Sequence, residues 1–207
     1  VIEQLGQIEP LIRPLLCDSV SLINDFLDSG KRVLAEGAQG VMLDIDFGTY
    51  PYVTSSNPTT GGVCTGLGVA PQRITDVLGV VKAYTTRVGE GPFPTELTDD
   101  LGDFIRKSGG EFGATTGRPR RCGWFDAAVV RRSIQLCGVT QVALTKLDVL
   151  DNLEQIQICT HYIGPDGERL DRIPLDPGQL AGSKPVYETM PGWKSVTAEC
   201  TRYDQMP

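Results

Sequence analysis

Apolar residues recur at the spacing of an α-helix near the start of the chain. They occupy these positions between residues 8 and 27: Ile8, Leu11, Ile12, Leu15, Leu16, Ile23, Phe26 and Leu27. A helix with 3.6 residues per turn collects such positions on one face. Gly30 follows, and glycine commonly stands just past the end of a helix. The pattern predicts one helix over residues 8–27.

Two further helices are predicted at residues 99–108 and 125–137. Thr98 or Asp99 would cap the first helix, and glycines stand just beyond it at positions 109 and 110. In the second helix, Asp126 would be the N-cap and Gly138 the stop. Four apolar residues of that segment share one helical face, namely Ala127, Val130, Ile134 and Cys137.

Short β-branched and apolar runs alternate with these helices and predict strands. They cover residues 32–35, residues 77–88 as a buried strand, and residues 141–144. A Pro-Asp-Gly turn between residues 156–163 and 168–173 predicts an antiparallel hairpin. Residues 54–68 are expected to form a long polar loop, and the proline-containing stretch with Pro185 and Pro191 an irregular tail. The alternation favours an α/β fold with a mostly parallel sheet.

Composition narrows the class of function. The 207 residues carry 19 Lys and Arg against 26 Asp and Glu, a net charge of −7, which argues against general nucleic-acid binding. No apolar stretch approaches the roughly 18 residues of a membrane span, and no signal peptide is visible at Val1. The 6 cysteines form no CxxC pair and there is 1 histidine, so a zinc site is disfavoured and reduced thiols in the cytoplasm are expected.

Residues 113–121 hold three arginines within four positions, which is unusual in an acidic chain. The segment reads Gly-Ala-Thr-Thr-Gly-Arg-Pro-Arg-Arg. Backbone N–H groups, threonine hydroxyls and guanidinium groups can converge there on one anion, because arginine binds carboxylate and phosphate oxygens in pairs. A solvated basic turn is the simpler alternative, but the glycine and threonine content favours a binding loop.

A second candidate follows the strand predicted at 141–144, in the sequence Thr-Lys-Leu-Asp at residues 145–148. The Asp148 carboxylate could accept the N1–H and the exocyclic amine of guanine, a donor pair that adenine lacks. The aliphatic part of Lys146 could lie on the base while its ammonium stays hydrated. The alternative is a strand end with a capping aspartate, since four residues match by chance.

Weaker candidates have equally good structural explanations. Gln39, in a glycine turn, could pair with the amide edge of a heterocycle or be an exposed turn residue. The segment 54–57, Thr-Ser-Ser-Asn, could bind phosphate or simply form a turn. Asp44 and Asp46 could serve a metal or acid–base chemistry, although alternation more simply places them on one face of an extended segment. His161 is expected to be structural.

Several segments together resemble the adenylosuccinate synthetase family. They are EGAQG at 36–40, LDIDFGTYPYVTSSN at 43–57, GEGPFPTEL at 89–97, EFGATTGRPRRCGWFD at 111–126, LTKLDVLD at 144–151 and YETMPGW at 187–193. Their order and spacing cover nearly the whole chain. The resemblance implies a homodimeric α/β ligase, similar in fold to P-loop NTPases, that uses GTP and Mg²⁺ to join IMP and L-aspartate in AMP synthesis.

The resemblance also implies roles for matching residues. It places Gln39, Thr54 and Arg118 on IMP; Ala114, Thr115, Thr116, Gly117, Arg118 and Arg120 on aspartate; and Arg120, Lys146, Leu147 and Asp148 on GTP. Gln39 would contact the 6-oxo group, and no residue of this segment would be a catalytic acid or base.

Departures from the family pattern shape the expectation. The family's glycine-rich phosphate loop, its catalytic aspartate and the histidine that acts as a general acid are not in these 207 residues, and neither is a GxxxxGK[ST] motif. Phe47 stands where some members have histidine. We therefore expect residues 1–207 to be one α/β segment of a larger catalytic domain, inactive alone, with Mg²⁺ held mainly by residues outside it. The rival is a non-catalytic module that binds GTP or other anions.

Overall fold

The computed structural model describes residues 2–207, which form short helices and three small sheets. The helices are α1 Ile2–Ile12, α2 Ser19–Asp28, α3 Gly61–Leu67, α4 Asp100–Ser108, α5 Ala127–Cys137 and α6 Pro177–Gly182. The strands are β1 Leu78–Lys82, β2 Thr85–Arg87, β3 Arg121–Gly123, β4 Phe125–Asp126, β5 Gln141–Thr145, β6 Gln155–Ile163, β7 Arg169–Leu170 and β8 Lys184–Pro191.

Parallel and antiparallel pairings are both present, as expected for the α/β class. Strands β1 and β5 pair in parallel, and so do β4 and β6. The pairs β2–β3, β6–β7 and β6–β8 are antiparallel. The hairpin predicted around residues 165–167 is confirmed, with Tyr162 opposite Leu170. The α/β fold class predicted from the sequence is therefore confirmed.

Two buried clusters hold these elements together. The larger cluster joins the turn between β1 and β2, α4, β3, the turn after β5 and β6 through Ala83, Tyr84, Ile105, Cys122, Trp124, Val149, Leu150 and Ile156. The smaller one packs α5 and α6 against β6 through Ala128, Cys159, Tyr162, Ile173 and Leu180. Because the larger cluster lies between the ends of β1 and β3, it fixes the segments that carry the arginine loop and the Lys146 turn.

Helices α4 and α5 begin and end where their capping residues predict. The Asp99 carboxylate accepts from the Gly102 N–H at 3.1 Å, and the Asp126 carboxylate accepts from Ala128 and Val129, each at 3.1 Å. Gly110 and Gly138 adopt left-handed φ angles of +62° just past the two helices. These ends follow from local chemistry, which is why the sequence is sufficient to predict them.

Other predictions for regular structure were wrong. The single helix over 8–27 is two helices, because Pro14 ends α1 with a short 3-10 turn and Asp18 then caps α2. Residues 32–35 form no strand, having no pairing partner within residues 2–207. The stretch expected to be irregular contains β8, which pairs with β6. The loop at 54–68 contains α3, and the strand at 77–88 is two strands, β1 and β2.

Asp126 should contribute more to stability than an ordinary helix cap. Its carboxylate also accepts a hydrogen bond from the buried Tyr162 hydroxyl, and burial raises its pKa. We expect Asp126→Ala to lower the free energy of unfolding by about 2–4 kcal/mol, through the lost cap and an unpaired buried hydroxyl. Asp99→Ala, which removes a cap alone, should cost about 1 kcal/mol. Urea unfolding of both variants measures the difference, and equal costs would contradict this role for Tyr162.

Candidate functional site

The candidate site lies at the carboxyl ends of β1 and β5, which are adjacent in the parallel pair. Lys82 ends β1 opposite Thr145, the last residue of β5. Lys146 follows with a left-handed φ of +64°, a conformation that costs a non-glycine residue about 1–3 kcal/mol and clusters at functional positions. In open α/β sheets, ligands bind beyond the carboxyl ends of parallel strands. Both strands therefore deliver polar residues to the edge where a ligand is expected.

The Lys146 turn is anchored on one side and exposed on the other. Val149 and Leu150 are buried in the larger cluster, and the Lys146 ammonium donates to the Gly109 carbonyl at 2.9 Å. Asp148, between them in the 3-10 turn Leu147–Leu150, is exposed. The turn thus presents the Asp148 carboxylate to solvent from a fixed backbone, as a base-recognition residue requires.

The arginine loop is closed by its own backbone. The Gly113 N–H donates to the Arg118 carbonyl and the Gly117 N–H to the Gly113 carbonyl, both at 2.8 Å. Gly117 has a φ of +63°, which glycine adopts without steric cost. Four side chains of this closed loop are exposed, those of Ala114, Thr115, Thr116 and Arg118. The loop accordingly offers hydroxyl and guanidinium groups outwards, in the manner expected of an anion-binding loop.

Arg120 points inwards and is held by a buried carboxylate. Its Nη1 donates to Glu111 Oε2 at 2.7 Å, and Lys82 donates to both Glu111 oxygens at 2.7 and 2.8 Å. The Tyr84 hydroxyl donates to Oε1 at 2.7 Å. Glu111 is only 1% exposed. Burial alone would raise its pKa, but the hydrogen bonds from these donors prevail and lower it.

Thr54 lines an open cleft on the neighbouring surface. The cleft has a volume of about 360 Å³ and is lined by Leu43, Tyr52, Val53, Thr54, Val88 and Glu90. The Thr54 N–H donates to the Leu43 carbonyl at 2.7 Å. The space is of the size that small-molecule sites typically offer, so Thr54 is suitably placed to contact a ligand.

Asp44 organises the segment that leads to Thr54. It is fully buried and accepts from the Thr59 hydroxyl at 3.0 Å and from the Asp46 N–H at 2.9 Å. Asp46 is exposed, and both carboxylates accept from Asn57. Residues 44–47 form a turn, so the prediction that Asp44 and Asp46 share one face of an extended segment was wrong. Asp44 is better explained as a structural anchor, because backbone donors close the turn around it.

Two arginines tie the cleft to the arginine loop. Arg87 in β2 is opposite Arg121 in β3, and its Nη2 donates to the Thr49 hydroxyl at 3.1 Å. Arg121, directly after Arg120, pairs with Glu96 at 2.7 Å through its Nε and donates to the Gly91 carbonyl at 2.8 Å. The pairing with Glu96 raises the Arg121 pKa. The β2–β3 pair therefore fixes the cleft wall and the base of the loop relative to each other.

Gln39 and His161 remain apart from this network. Gln39 is exposed and has a left-handed φ of +60°, which makes it a strained turn residue whose side chain is accessible. His161 lies in β6, where its Nδ1 is 2.9 Å from the Thr160 hydroxyl. Within residues 2–207, the Gln39 side chain forms no hydrogen bond to the arginine loop or to Thr54. A ligand would have to bridge those groups.

The described residues do not form a metal site. No group of three or more His, Cys, Asp and Glu side chains within residues 2–207 is placed to hold a metal ion. The residues present therefore do not fit the Mg²⁺ that the family resemblance implies. In the same part of the chain, no helix combines the length and apolarity that crossing a membrane requires.

Sequence reasoning missed the residues that hold the site together. Glu111, Lys82 and Tyr84 were not among the candidates, although Glu111 lies two positions before the loop and Lys82 ends a strand. Lys82 and Glu111 are 29 positions apart, so their contact depends on the path of the chain between them. The sequence signal that could have identified Lys82 is its charge at the end of an apolar strand.

Comparisons with known proteins identify the family of this chain. The family model for adenylosuccinate synthetase matches residues 1–207. Adenylosuccinate synthetase of Bifidobacterium longum strain DJO10A is 56% identical over 205 residues, which are 99% of this chain and 48% of that protein. The enzyme of Pelobacter propionicus is 50% identical over 207 residues, 100% of this chain and 48% of its own length.

A solved structure extends the likeness to three dimensions. The fully ligated adenylosuccinate synthetase from Plasmodium falciparum superposes with a TM-score of 0.96 at 43% identity. The match covers 99% of this chain and 49% of that one. The chain thus spans about half the length of the relatives it matches. Sequence and structure together establish that this chain belongs to the adenylosuccinate synthetase family.

Proposed function

We propose that the protein carrying this chain is a GTP-dependent ligase that joins IMP and L-aspartate to give adenylosuccinate. GTP phosphorylates the 6-oxygen of IMP and becomes GDP. The aspartate amine then attacks C6, and the phosphate leaves with that oxygen, so the products are adenylosuccinate, GDP and phosphate. One structural observation carries the proposal. The arginine loop and the Lys146 turn meet at the same end of β1 and β5, linked through Glu111 and Gly109.

Each site residue has a proposed role that its placement supports. Exposed Thr115, Thr116 and Arg118 bind the aspartate carboxylates, with Ala114, Gly117 and Arg120 completing the aspartate loop. Thr54 binds the IMP phosphate, Gln39 the 6-oxo edge, and Arg118 the IMP ribose in addition. The following residues bind GTP: Arg120 at the phosphates, and Lys146, Leu147 and Asp148 at guanine. Fixed cationic groups stabilise the charge of a transferring phosphoryl group. A protein with a net negative charge must therefore concentrate its cationic groups at the site.

We further propose that residues 1–207 are one segment of a larger catalytic domain. Within the described residues, β1 and β5 form a sheet of only two strands, with Leu78 60%, Val80 71% and Val142 48% exposed. Helices α1 and α2 bury no residue. Such apolar surface is normally covered, and the relatives are twice as long. The rest of the larger domain covers this surface and supplies the groups that hold Mg²⁺ and move protons. We propose in addition that the protein is a homodimer and is located in the cytoplasm.

Product formation tests the function directly. The protein carrying this chain should convert IMP to adenylosuccinate, followed by absorbance, only when GTP and aspartate are both present, and ATP should not replace GTP. The isolated 207-residue polypeptide should form no product. Turnover by that polypeptide would contradict the proposed division of the catalytic groups.

Calorimetry separates the ligase from the rival, a module that binds GTP or other anions without catalysis. A ligase should bind GTP and aspartate more tightly when IMP is present, because the three ligands share one site. Equal binding of any polyanion, with no effect of IMP, would favour the module instead. The absence of turnover by the protein carrying this chain would also favour the module.

A further inference from the structure

Glu111 is a buried carboxylate that joins parts of the site distant in sequence. It lies between α4 and the arginine loop, 1% exposed, and accepts from Lys82, Tyr84 and Arg120. Buried carboxylates are costly unless they are paired and hydrogen-bonded. Here every donor comes from a segment that borders the proposed site, so the carboxylate is well placed to fix those segments together.

The Glu111 backbone also holds the base of the arginine loop. Its carbonyl accepts from the Arg120 N–H at 2.9 Å, and the next residue, Phe112, bridges to Pro119. The Arg120 carbonyl in turn accepts from Arg106 Nε in α4 at 2.8 Å. Arg120 is therefore held through its main chain and its guanidinium by neighbours at one point. The exposed part of the loop extends from this fixed base.

Tyr84 carries the same connection towards the Lys146 turn. Its hydroxyl, bonded to Glu111, packs so closely on Gly109 that a Cβ at position 109 would lie 2.2 Å from it. The Gly109 carbonyl accepts from the Lys146 ammonium. Lys82, the other partner of Glu111, is in register with Thr145. Displacing the Glu111 carboxylate should thus disturb the arginine loop and the Lys146 turn together.

The charges explain what Glu111 contributes. One carboxylate stands between the Lys82 and Arg120 cations, and its low pKa shows that the ionised form is stabilised there. Without the negative charge, the two cations would repel each other in a poorly solvated place. The freed Arg120 guanidinium would then sample several rotamers instead of one. The Arg120 N–H groups that do not bond to Glu111 would then no longer be held where we propose that the GTP phosphates bind.

We propose that Glu111 is a positioning residue that orients Arg120 and couples the aspartate loop to the GTP-binding turn. The inference rests on the proposed function and assigns no contact between Glu111 and any substrate. It requires the charge of Glu111 more than its shape. Two substitutions separate these properties, because glutamine keeps the shape and aspartate keeps the charge.

Steady-state kinetics of the protein carrying this chain test the proposal. Glu111→Gln should raise KM for aspartate and for GTP by about 10- to 100-fold, the equivalent of losing one or two charge-assisted hydrogen bonds. KM for IMP should rise less than the other two constants, since the proposed IMP phosphate contact lies in the Thr54 cleft and only the ribose contact, Arg118, lies in the loop. Glu154→Gln is the matched control, because Glu154 pairs with Lys194 while 80% exposed. It should leave all three constants unchanged.

Comparison of Glu111→Asp with Glu111→Gln distinguishes positioning from packing. A charge-based role predicts that aspartate restores part of the lost affinity, whereas a purely steric role predicts that glutamine is the milder change. Combining Glu111→Gln with Arg120→Gln should cost clearly less than the sum of the two single effects, because Glu111 acts in part through Arg120. Additive effects would overturn the proposal. If Glu111→Gln does not fold, Tyr84→Phe is the alternative variant. It removes one hydrogen bond to Glu111 and should raise KM for aspartate about three-fold. An unchanged KM would overturn the proposal.

A measurement without substrates keeps this inference separate from the proposed function. In ¹⁵N-labelled protein, slow rotation of the Arg120 guanidinium is expected, identified by the loss of its signal in Arg120→Lys. Glu111→Gln should make the rotation fast and Glu154→Gln should not. An immobile guanidinium in Glu111→Gln would overturn the inference even in an active ligase. Absent product formation by the unsubstituted protein would instead contradict the proposed function.

Discussion

Arg118→Ala should lower kcat/KM for L-aspartate by about 10²- to 10³-fold, since two charge-assisted hydrogen bonds are worth roughly 3–4 kcal/mol together. The Arg118 side chain is exposed on a loop closed by backbone hydrogen bonds. Its removal should therefore leave the fold intact. The expected loss comes from the guanidinium that would bind an aspartate carboxylate through two parallel bonds. Initial rates against aspartate concentration, at saturating IMP and GTP, give the value.

Arg169→Ala is the matched control for Arg118→Ala. Arg169 is also exposed, and its ion pair with Asp171 lies on the surface, where such a pair contributes little. This variant should retain the aspartate kcat/KM of the unsubstituted protein. Unchanged kinetics in Arg118→Ala as well would mean that the loop is a solvated basic turn, the simpler alternative for this sequence.

Asp148→Asn should reverse the choice of nucleotide base. The carboxylate is proposed to accept two hydrogen bonds from guanine, and an asparagine would meet the exocyclic amine with its own amide donors. We expect kcat/KM for GTP to fall by about 10²- to 10⁴-fold, because each bond to a charged acceptor is worth roughly 1.5–3 kcal/mol. Xanthosine triphosphate carries a carbonyl where guanine has the amine, so it should become the better phosphoryl donor. Rates with the two triphosphates measure this preference.

The control for Asp148→Asn removes an equally exposed carboxylate elsewhere. Asp166 lies in the turn between β6 and β7, and Asp166→Asn should leave the preference for GTP untouched. A protein with Asp148→Asn that still prefers GTP as strongly as before would refute guanine recognition by this turn. Loss of activity with every triphosphate would point to a role for Asp148 in holding the turn instead.

The connection between the candidate segments emerged only from the structure. The sequence marked the arginine loop, the Lys146 turn and Thr54 separately. The fold joins the first two through Glu111, Tyr84 and Gly109, and it joins the loop base to the Thr54 cleft through the β2–β3 pair. These contacts concern residues far apart in the chain, so no local pattern carries them.

The predictions of helices and strands also divide into those that local sequence determines and those that depend on contacts between distant residues. Helices α4 and α5 were predictable because aspartate caps and glycine stops act within a few residues. Strand β8 was missed because it contains Pro185 and Pro191 and is defined by its pairing with β6. The predicted strand at 32–35 has the right composition and no partner within the described residues, and β-structure requires one.

By itself, the sequence determined the α/β class, the family resemblance and the candidate residues for binding ligands, because motifs and capping signals are local. The tertiary structure decided that Arg120 points inwards to Glu111 while Arg118 stays exposed, and that Lys82 and Lys146 share one sheet edge. A buried carboxylate is stable only where the fold supplies its cations and donors. Which residues do so depends on chain topology, and so the organising centre of the site could not be identified from sequence spacing.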